Sequence, residues 1–529
     1  MHTANRREFL SLIAGSTALT AGSWQRGFAQ ASRGPARVSL DAARVHADLD
    51  RRVLGSFLEH LGRAIYGGIY DPGSPHAGAD GLRKDVIEEI RTIGVPIVRY
   101  PGGNFVSGYH WRDGVGPKEK RPRVLDRAWN TLEPNQFGTN EFIGWCRSAG
   151  TEPLLAVNLG SGTTEEAAGL VEYCNMVGGT RWSELRRSHG FASPHNVKTW
   201  CLGNEMDGPW QIGHMPATEY GLKAADAARQ MRAVDHSLQL VACGSSGPGM
   251  RTFLEWDRQV LEQCYDDVDF ISLHRYYGNA GETNGDASRY LALNLDMERQ
   301  IQEVAAVCDY VRGLRKSDKR LSLSFDEWNV WYRARGGDGK AQEAPHLLEE
   351  VYNLEDALLV GGLINTLLRH SDRVRIACLA QLVNVIAPLS TNKDHVLRQT
   401  IYYPYAWALR HARGQVLDLL LESESYEVPK LGRVPFVDVV ATADGHNHSL
   451  MLLNRDLNNE REVTVTWRGA APVRVLNLET LTGSDLKASN SFDQPDRVAP
   501  QRLEPPKPGS TMTFKLPPRS YTAAALSMT

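Results

Sequence analysis

The sequence predicts an α/β fold, a (β/α)8 TIM barrel followed by a C-terminal antiparallel β-sandwich. Three observations lead there. Eight short apolar runs alternate with amphipathic stretches between about residues 50 and 413. Polar groups gather just past the ends of those runs. After about Gln415 the pattern changes to short alternating strands separated by turns rich in Asp, Asn, Gly and Pro.

The runs are Val53–Leu58, Pro96–Tyr100, Pro153–Asn158, Val197–Gly203, Leu238–Cys243, Val268–His274, Leu321–Phe325 and Val374–Leu382. Helical spacing is found in Leu82–Ile93, Glu165–Cys174, Ala217–Val234, Met297–Leu314 and Leu347–Leu368. Strands that alternate with helices imply a parallel sheet, because parallel neighbours need crossover connections. Eight such units are the number that closes a barrel. The tail reads as strands at Phe436–Ala441, Ser449–Leu453, Glu462–Trp467, Val473–Leu478, Thr511–Leu516 and Tyr521–Leu526, with a Pro-rich loop at Pro500–Gly509. That is the pattern of a sandwich. Arg37–Leu40 is strand-like and expected to join it. The expected division is a leader over 1–31, an N-terminal strand over 32–49, a barrel over 50–413 and a sandwich over 414–529.

A chain of 529 residues is too long for one ordinary core. The composition, 42% hydrophobic and 23% charged, is that of a globular protein. A formal net charge of −3 gives no basic footprint for nucleic acid. Arg6 and Arg7, the apolar run to about Trp24 and the small residues Ala29-Gln30-Ala31 resemble a twin-arginine export signal, so a periplasmic or secreted protein is expected. No membrane anchor is expected, since no stretch approaches about 18 uninterrupted apolar residues. The seven cysteines are scattered, odd in number and without a CxxC pair, which argues against a zinc site and a disulfide scaffold.

A barrel of this kind carries its functional groups at the C-terminal ends of the strands. Here those positions hold Glu59, Asn104, Asn158, Asn204-Glu205, Ser245, His274 with Tyr276, Glu327, and Gln381 with Asn384. One or two would mean nothing, since every buried strand meets polar sequence where it surfaces. Two motifs stand out. Trp200-Cys201-Leu202-Gly203-Asn204-Glu205-Met206-Asp207-Gly208-Pro209-Trp210 ends the fourth run, and Leu323-Ser324-Phe325-Asp326-Glu327-Trp328-Asn329-Val330-Trp331-Tyr332 ends the seventh. Their carboxylates face one another across a barrel mouth. Glycoside cleavage needs such a pair, one acid to protonate the leaving oxygen and one carboxylate to attack or to activate water. An acid beside apolar Trp and Met is desolvated, and its pKa rises; one near Arg99 stays ionised. Asn204 is placed to bond a sugar hydroxyl. His274 and Tyr276 read equally as a satisfied pair under a loop.

The sequence resembles glycoside hydrolase family 51, the α-L-arabinofuranosidases, over nearly all of the chain past residue 31. The matching segments are Gly55-Ser56-Phe57-Leu58-Glu59-His60-Leu61-Gly62-Arg63, Arg99-Tyr100-Pro101-Gly102-Gly103-Asn104-Phe105, Gly203-Asn204-Glu205-Met206-Asp207, His274-Arg275-Tyr276-Tyr277-Gly278-Asn279, Asp326-Glu327-Trp328-Asn329 and Gln381-Leu382-Val383-Asn384. The resemblance implies a jelly-roll-like sandwich and removal of terminal arabinofuranosyl units from arabinan, arabinoxylan or derived oligosaccharides by double displacement. It implies Glu205 as acid/base, Glu327 as nucleophile, and Glu59, Asn104, Asn204, Tyr276 and Gln381 as groups that hold the sugar. Trp129 and Trp331 match aromatics on the leaving-group side, with Arg99 as partner of the nucleophile and His274 in support. It implies no metal or cofactor, and a homohexamer. Arg275 stands where Gln is expected; on an extended segment it points away from its neighbours' face. A β-xylosidase or endoglucanase with the same two-Glu machinery, a sugar-binding protein without activity, and transfer instead of hydrolysis are the competing readings.

Overall fold

The computed structural model describes residues 34–281, 283–333, 336–337 and 339–529. Eight parallel strands close a barrel: Gly55–Phe57, Ile97–Tyr100, Glu152–Val157, Thr199–Leu202, Gln239–Ala242, Phe270–Tyr277, Ser322–Val330 and Val374–Ala380. Each overlaps one of the eight apolar runs, because a strand buried on both faces carries a largely apolar segment. The sixth and seventh run further than the apolar pattern. Polar His274, Tyr276, Asp326 and Glu327 are still strand residues, paired so that Glu327 lies opposite His274. An irregularity in that pairing falls between Ser324 and Glu327 and re-aims the chain at the barrel mouth.

The helices Lys84–Ile93 and Ala217–Val234 bury one stripe against the barrel, which is why helical spacing reveals them. Helix Leu354–Arg369 starts seven residues later than the expected Leu347, where Asn353 accepts from the Asp356 amide as N-cap. It is buried on nearly every side, since it lies between the barrel and the second domain. Helices Thr139–Ala149, Arg181–Ser188, Glu255–Cys264 and Tyr402–His411 lie outside the expected stretches.

The second domain is one nine-stranded sheet rolled around its own core of Val38, Leu417, Val439, Leu450, Val463, Phe514 and Leu526, among others. The N-terminal strand Ala36–Asp48 pairs in it, antiparallel to Gln415–Glu422 but parallel to Arg461–Arg468. The sheet is therefore mixed at that point, where an all-antiparallel sheet was expected. Buried Asp438 of the second domain ties it to the barrel, accepting from Arg369 at 2.6 Å and, within its own domain, from Arg455 at 2.8 Å. Among the described residues no helix is long and apolar enough to cross a membrane.

Candidate active site

A cavity of about 700 Å3 opens at the C-terminal ends of the barrel strands. Glu59, Asn104, Trp129, Glu205, Tyr276, Glu327, Trp331 and Gln381, all expected at the site, line it. Arg99, Asn204 and His274 are buried beside these residues and bond to them or to each other.

Glu205 reaches the cavity from a sharp turn after the fourth strand, with φ of +42°, a left-handed conformation that costs a non-glycine residue about 1–3 kcal/mol. The turn is held by the Gly208 amide, which donates to the Glu205 carbonyl at 2.8 Å. The Glu205 Oε1 accepts from His274 Nδ1 at 2.9 Å and its Oε2 from the Trp210 indole N–H at 2.7 Å. Burial pushes this carboxyl up, with His274 pulling the other way.

Glu327 is held on both oxygens. Arg99 Nη1 donates to Oε1 at 2.7 Å and the Tyr276 hydroxyl to Oε2 at 2.8 Å. The second Arg99 nitrogen, Nη2, donates to Asn204 Oδ1 at 2.7 Å, so one guanidinium fork ties the two motifs together. Asp326, two positions before Trp328 and buried, accepts from His274 Nε2 at 2.9 Å and lies 3.7 Å from Arg99 Nε. Burial would raise Asp326; Arg99 and His274 outweigh it and hold the carboxyl below its usual range. Burial likewise would lower His274, but Glu327, Asp326 and Glu205 surround it and push the imidazole up to about 10.

Glu59 sits across the cavity. It accepts from the Phe105 amide at 3.0 Å and from Trp129 Nε1 at 2.7 Å, and its own amide donates to Gln381 Oε1 at 2.9 Å. Burial first, and then Glu327, push its carboxyl well above the ordinary range. Gly103, with φ of +79°, lets the backbone pass over it; a Cβ there would lie 2.2 Å from the Glu59 carboxyl carbon.

The mouth of the cavity is walled by the loop after Val330. Its Gly339 carbonyl accepts from Asn130 at 3.2 Å, its Gln342 carbonyl from the Leu132 amide at 3.1 Å, and its Glu343 pairs with Arg123. These contacts tie it to the hairpin Val124–Glu133 that carries Trp129. Neither loop nor hairpin has a sequence pattern that foretells the bridge. Asp326 and Trp210 were legible only as motif members, since no local signal says what they touch. Arg275 points away as expected, pairing with Asp296 at 2.8 Å. Asn158 and Ser245 serve the frame, bonding the Tyr109 carbonyl and Asp207, and Asn384 bonds the Arg63 carbonyl. Among the described residues, one group has the spacing to hold a metal ion: Glu205, His274 and Glu327, with one ligand atom each within 4.8 Å of the others.

A model described as the alpha-L-arabinofuranosidase 1 domain matches residues 89–313, and one described as the alpha-L-arabinofuranosidase C-terminal domain matches 326–520. The intracellular exo-alpha-(1->5)-L-arabinofuranosidase 1 of Bacillus subtilis (strain 168) is 49% identical over 469 residues, covering 88% of this chain and 93% of its own. The intracellular exo-alpha-(1->5)-L-arabinofuranosidase of Halalkalibacterium halodurans is 49% identical over 84% of this chain and 89% of its own. The solved structure of AbfB, a family 51 alpha-L-arabinofuranosidase from Bifidobacterium longum, superimposes with a TM-score of 0.90 at 40% identity, covering 94% of this chain and 100% of its own.

These relatives overturn one expectation. Both curated proteins are named intracellular, so the reading of this chain as a periplasmic or secreted protein with an export signal is withdrawn. The stretch that suggested it, residues 1–31, lies outside the described residues. Two arginines before an apolar run broken by Gly, Ser and Thr are weak evidence beside such relatives. All seven cysteines are buried free thiols. From its matched domains, its relatives and the superimposed structure together, the chain belongs to glycoside hydrolase family 51, the α-L-arabinofuranosidases.

Proposed function

We propose that this chain removes terminal, non-reducing α-L-arabinofuranosyl units from arabinan- or arabinoxylan-derived oligosaccharides by double displacement, with Glu327 as nucleophile and Glu205 as acid/base. The observation that carries the reading is the opposed pair. An oxygen of Glu205 and one of Glu327 lie within 4.8 Å of each other. Retaining glycosidases keep their carboxyl groups about 5–5.5 Å apart, whereas inversion needs about 6.5–9.5 Å to admit a water.

Arg99 and Tyr276 neutralise and aim Glu327 for attack on the anomeric carbon. Its new bond to the sugar forms as the glycosidic bond breaks, while Glu205 passes its proton to the leaving oxygen. Glu205 then takes a proton from water as that water attacks the sugar carbon and frees Glu327. Glu59, Asn104 and Gln381 form the closed end that holds the sugar, and the tied loop at the mouth favours terminal over internal cleavage. Trp129 and Trp331 flank the leaving side. The barrel over 50–413 carries the chemistry, and the sheet domain over 414–529 braces it. An intracellular site of action on short oligosaccharides and assembly as a hexamer complete the reading; light scattering checks the assembly.

The test is a panel of aryl glycosides. Strong preference for the α-L-arabinofuranoside over β-D-xylopyranoside, β-D-glucopyranoside and α-L-arabinopyranoside is expected. Preference for the xyloside or glucoside would keep the two Glu roles and overturn the specificity.

A further inference from the structure

Trp210 has no part in the reaction as described so far, yet it touches the acid. Its side chain is 52% exposed in the cavity mouth, and its indole N–H donates to Glu205 Oε2 at 2.7 Å. The ring is seated on Gly208. A Cβ there would fall 2.6 Å from the indole Cε2 and 2.7 Å from Cζ2. The bare glycine is what lets the ring lie across the loop and reach the carboxyl.

The two oxygens of Glu205 are not equivalent. His274 donates to Oε1 from Nδ1 and to Asp326 from Nε2, both at 2.9 Å. The Glu327 and Asp326 carboxylates beside it keep its imidazole charged, so both ring nitrogens carry protons. Oε1 is therefore an acceptor only. The proton destined for the leaving group sits on Oε2, the oxygen beneath Trp210, and a hydroxyl oxygen still accepts the indole N–H. As the Oε2–H bond breaks and the leaving alcohol takes that proton, the acid becomes a carboxylate and Oε2 takes a share of its negative charge. The hydrogen bond from the indole then becomes charge-assisted and stronger, so it favours the transition state over the ground state.

We infer that Trp210 is a positioning residue for this reaction: its indole N–H aims Oε2 of Glu205 at the leaving oxygen and stabilises the carboxylate that proton transfer leaves behind. The inference rests on the assignment of Glu205 as acid/base.

The experiment is kcat/KM against pH for the full-length enzyme, with a poor alkyl and an activated aryl arabinofuranoside. In Trp210→Phe the basic limb, which reports the free enzyme's acid, moves up by about one pH unit, because a hydrogen bond to the ionised form is lost. The poor leaving group loses about tenfold more than the activated one. Gly208→Ala keeps indole and carboxylate but displaces the ring, and gives the same shift. An unmoved limb in Trp210→Phe, or equal losses for both substrates, overturns the inference. Glu205→Ala separates the causes. If it slows both substrates equally, the acid/base reading fails and the inference with it. If it discriminates between them while Trp210→Phe leaves the limb in place, the inference alone fails.

Discussion

Arg99 Nη1 lies 2.7 Å from Glu327 Oε1, and both side chains are almost wholly buried. The guanidinium also serves Asn204 through Nη2 and faces Asp326 through Nε. A planar fork with three partners is not replaced by an ammonium. Arg99→Lys and Arg99→Ala are both expected to lower kcat by about 10²–10³-fold, with a smaller change in KM, since the contact orients and balances the charge of a reacting group. Steady-state kinetics on an aryl arabinofuranoside checks this; a change confined to KM counts against it.

Glu327→Ala abolishes turnover, and azide restores it with inverted product configuration, because the small anion fills the space of the missing carboxylate. Product configuration by NMR reads the outcome. Normal turnover without azide would sink the nucleophile assignment.

Glu205→Ala slows poor leaving groups by about 10²–10⁴-fold and activated aryl ones far less, since only the former need a proton. The ratio of the two rates is the measurement. Equal slowing counts against the acid/base role.

His274 makes stability depend on pH. Its folded pKa, about 10, lies above the ordinary 6.5 of an unfolded histidine. The folded state therefore holds its proton more tightly. The stabilisation is fully present below pH 6.5 and is lost as pH rises towards 10. His274→Gln is expected to flatten the decline in Tm across that window. A decline as steep as in the parent protein would show that other groups control it.

Gly103→Ala is expected to cost about 1–3 kcal/mol of stability and to raise KM, because the added carbon meets the Glu59 carboxyl and the φ of +79° disfavours any side chain. Thermal unfolding together with kinetics tests it. An unchanged KM would mean that Glu59 does not hold the sugar.

Much of the fold was legible because the physics is local. Strands buried on both faces, such as Ile97–Tyr100 and Glu152–Val157, are mostly apolar, with Arg99 turned into the site and Glu152 exposed at a strand start. Helix Ala217–Val234 buries one stripe and shows its period. The helix Tyr402–His411, packed at the domain junction and buried along most of its length, shows no such stripe. The export reading failed against relatives named intracellular, because a pair of arginines and a broken apolar run are a weak pattern.

The sequence by itself determined the chemistry available: two glutamates just past the fourth and seventh apolar runs, the family, and most of the residues that line the cavity. Strand ends on a barrel converge whatever lies between them, so these residues are recognisable one by one. Tertiary structure alone decided which atom meets which. The fork of Arg99 spans residues 105 and 228 positions away in sequence. The His274 pKa is pushed up only because the fold brings Glu327 and Asp326 of the neighbouring strand, and Glu205 of the turn after the fourth, around it. Trp210 reaches Glu205 only because Gly208 leaves it room. Hydrogen bonds act over about 3 Å, and electrostatics depends on burial; neither distance nor burial exists until the chain has closed.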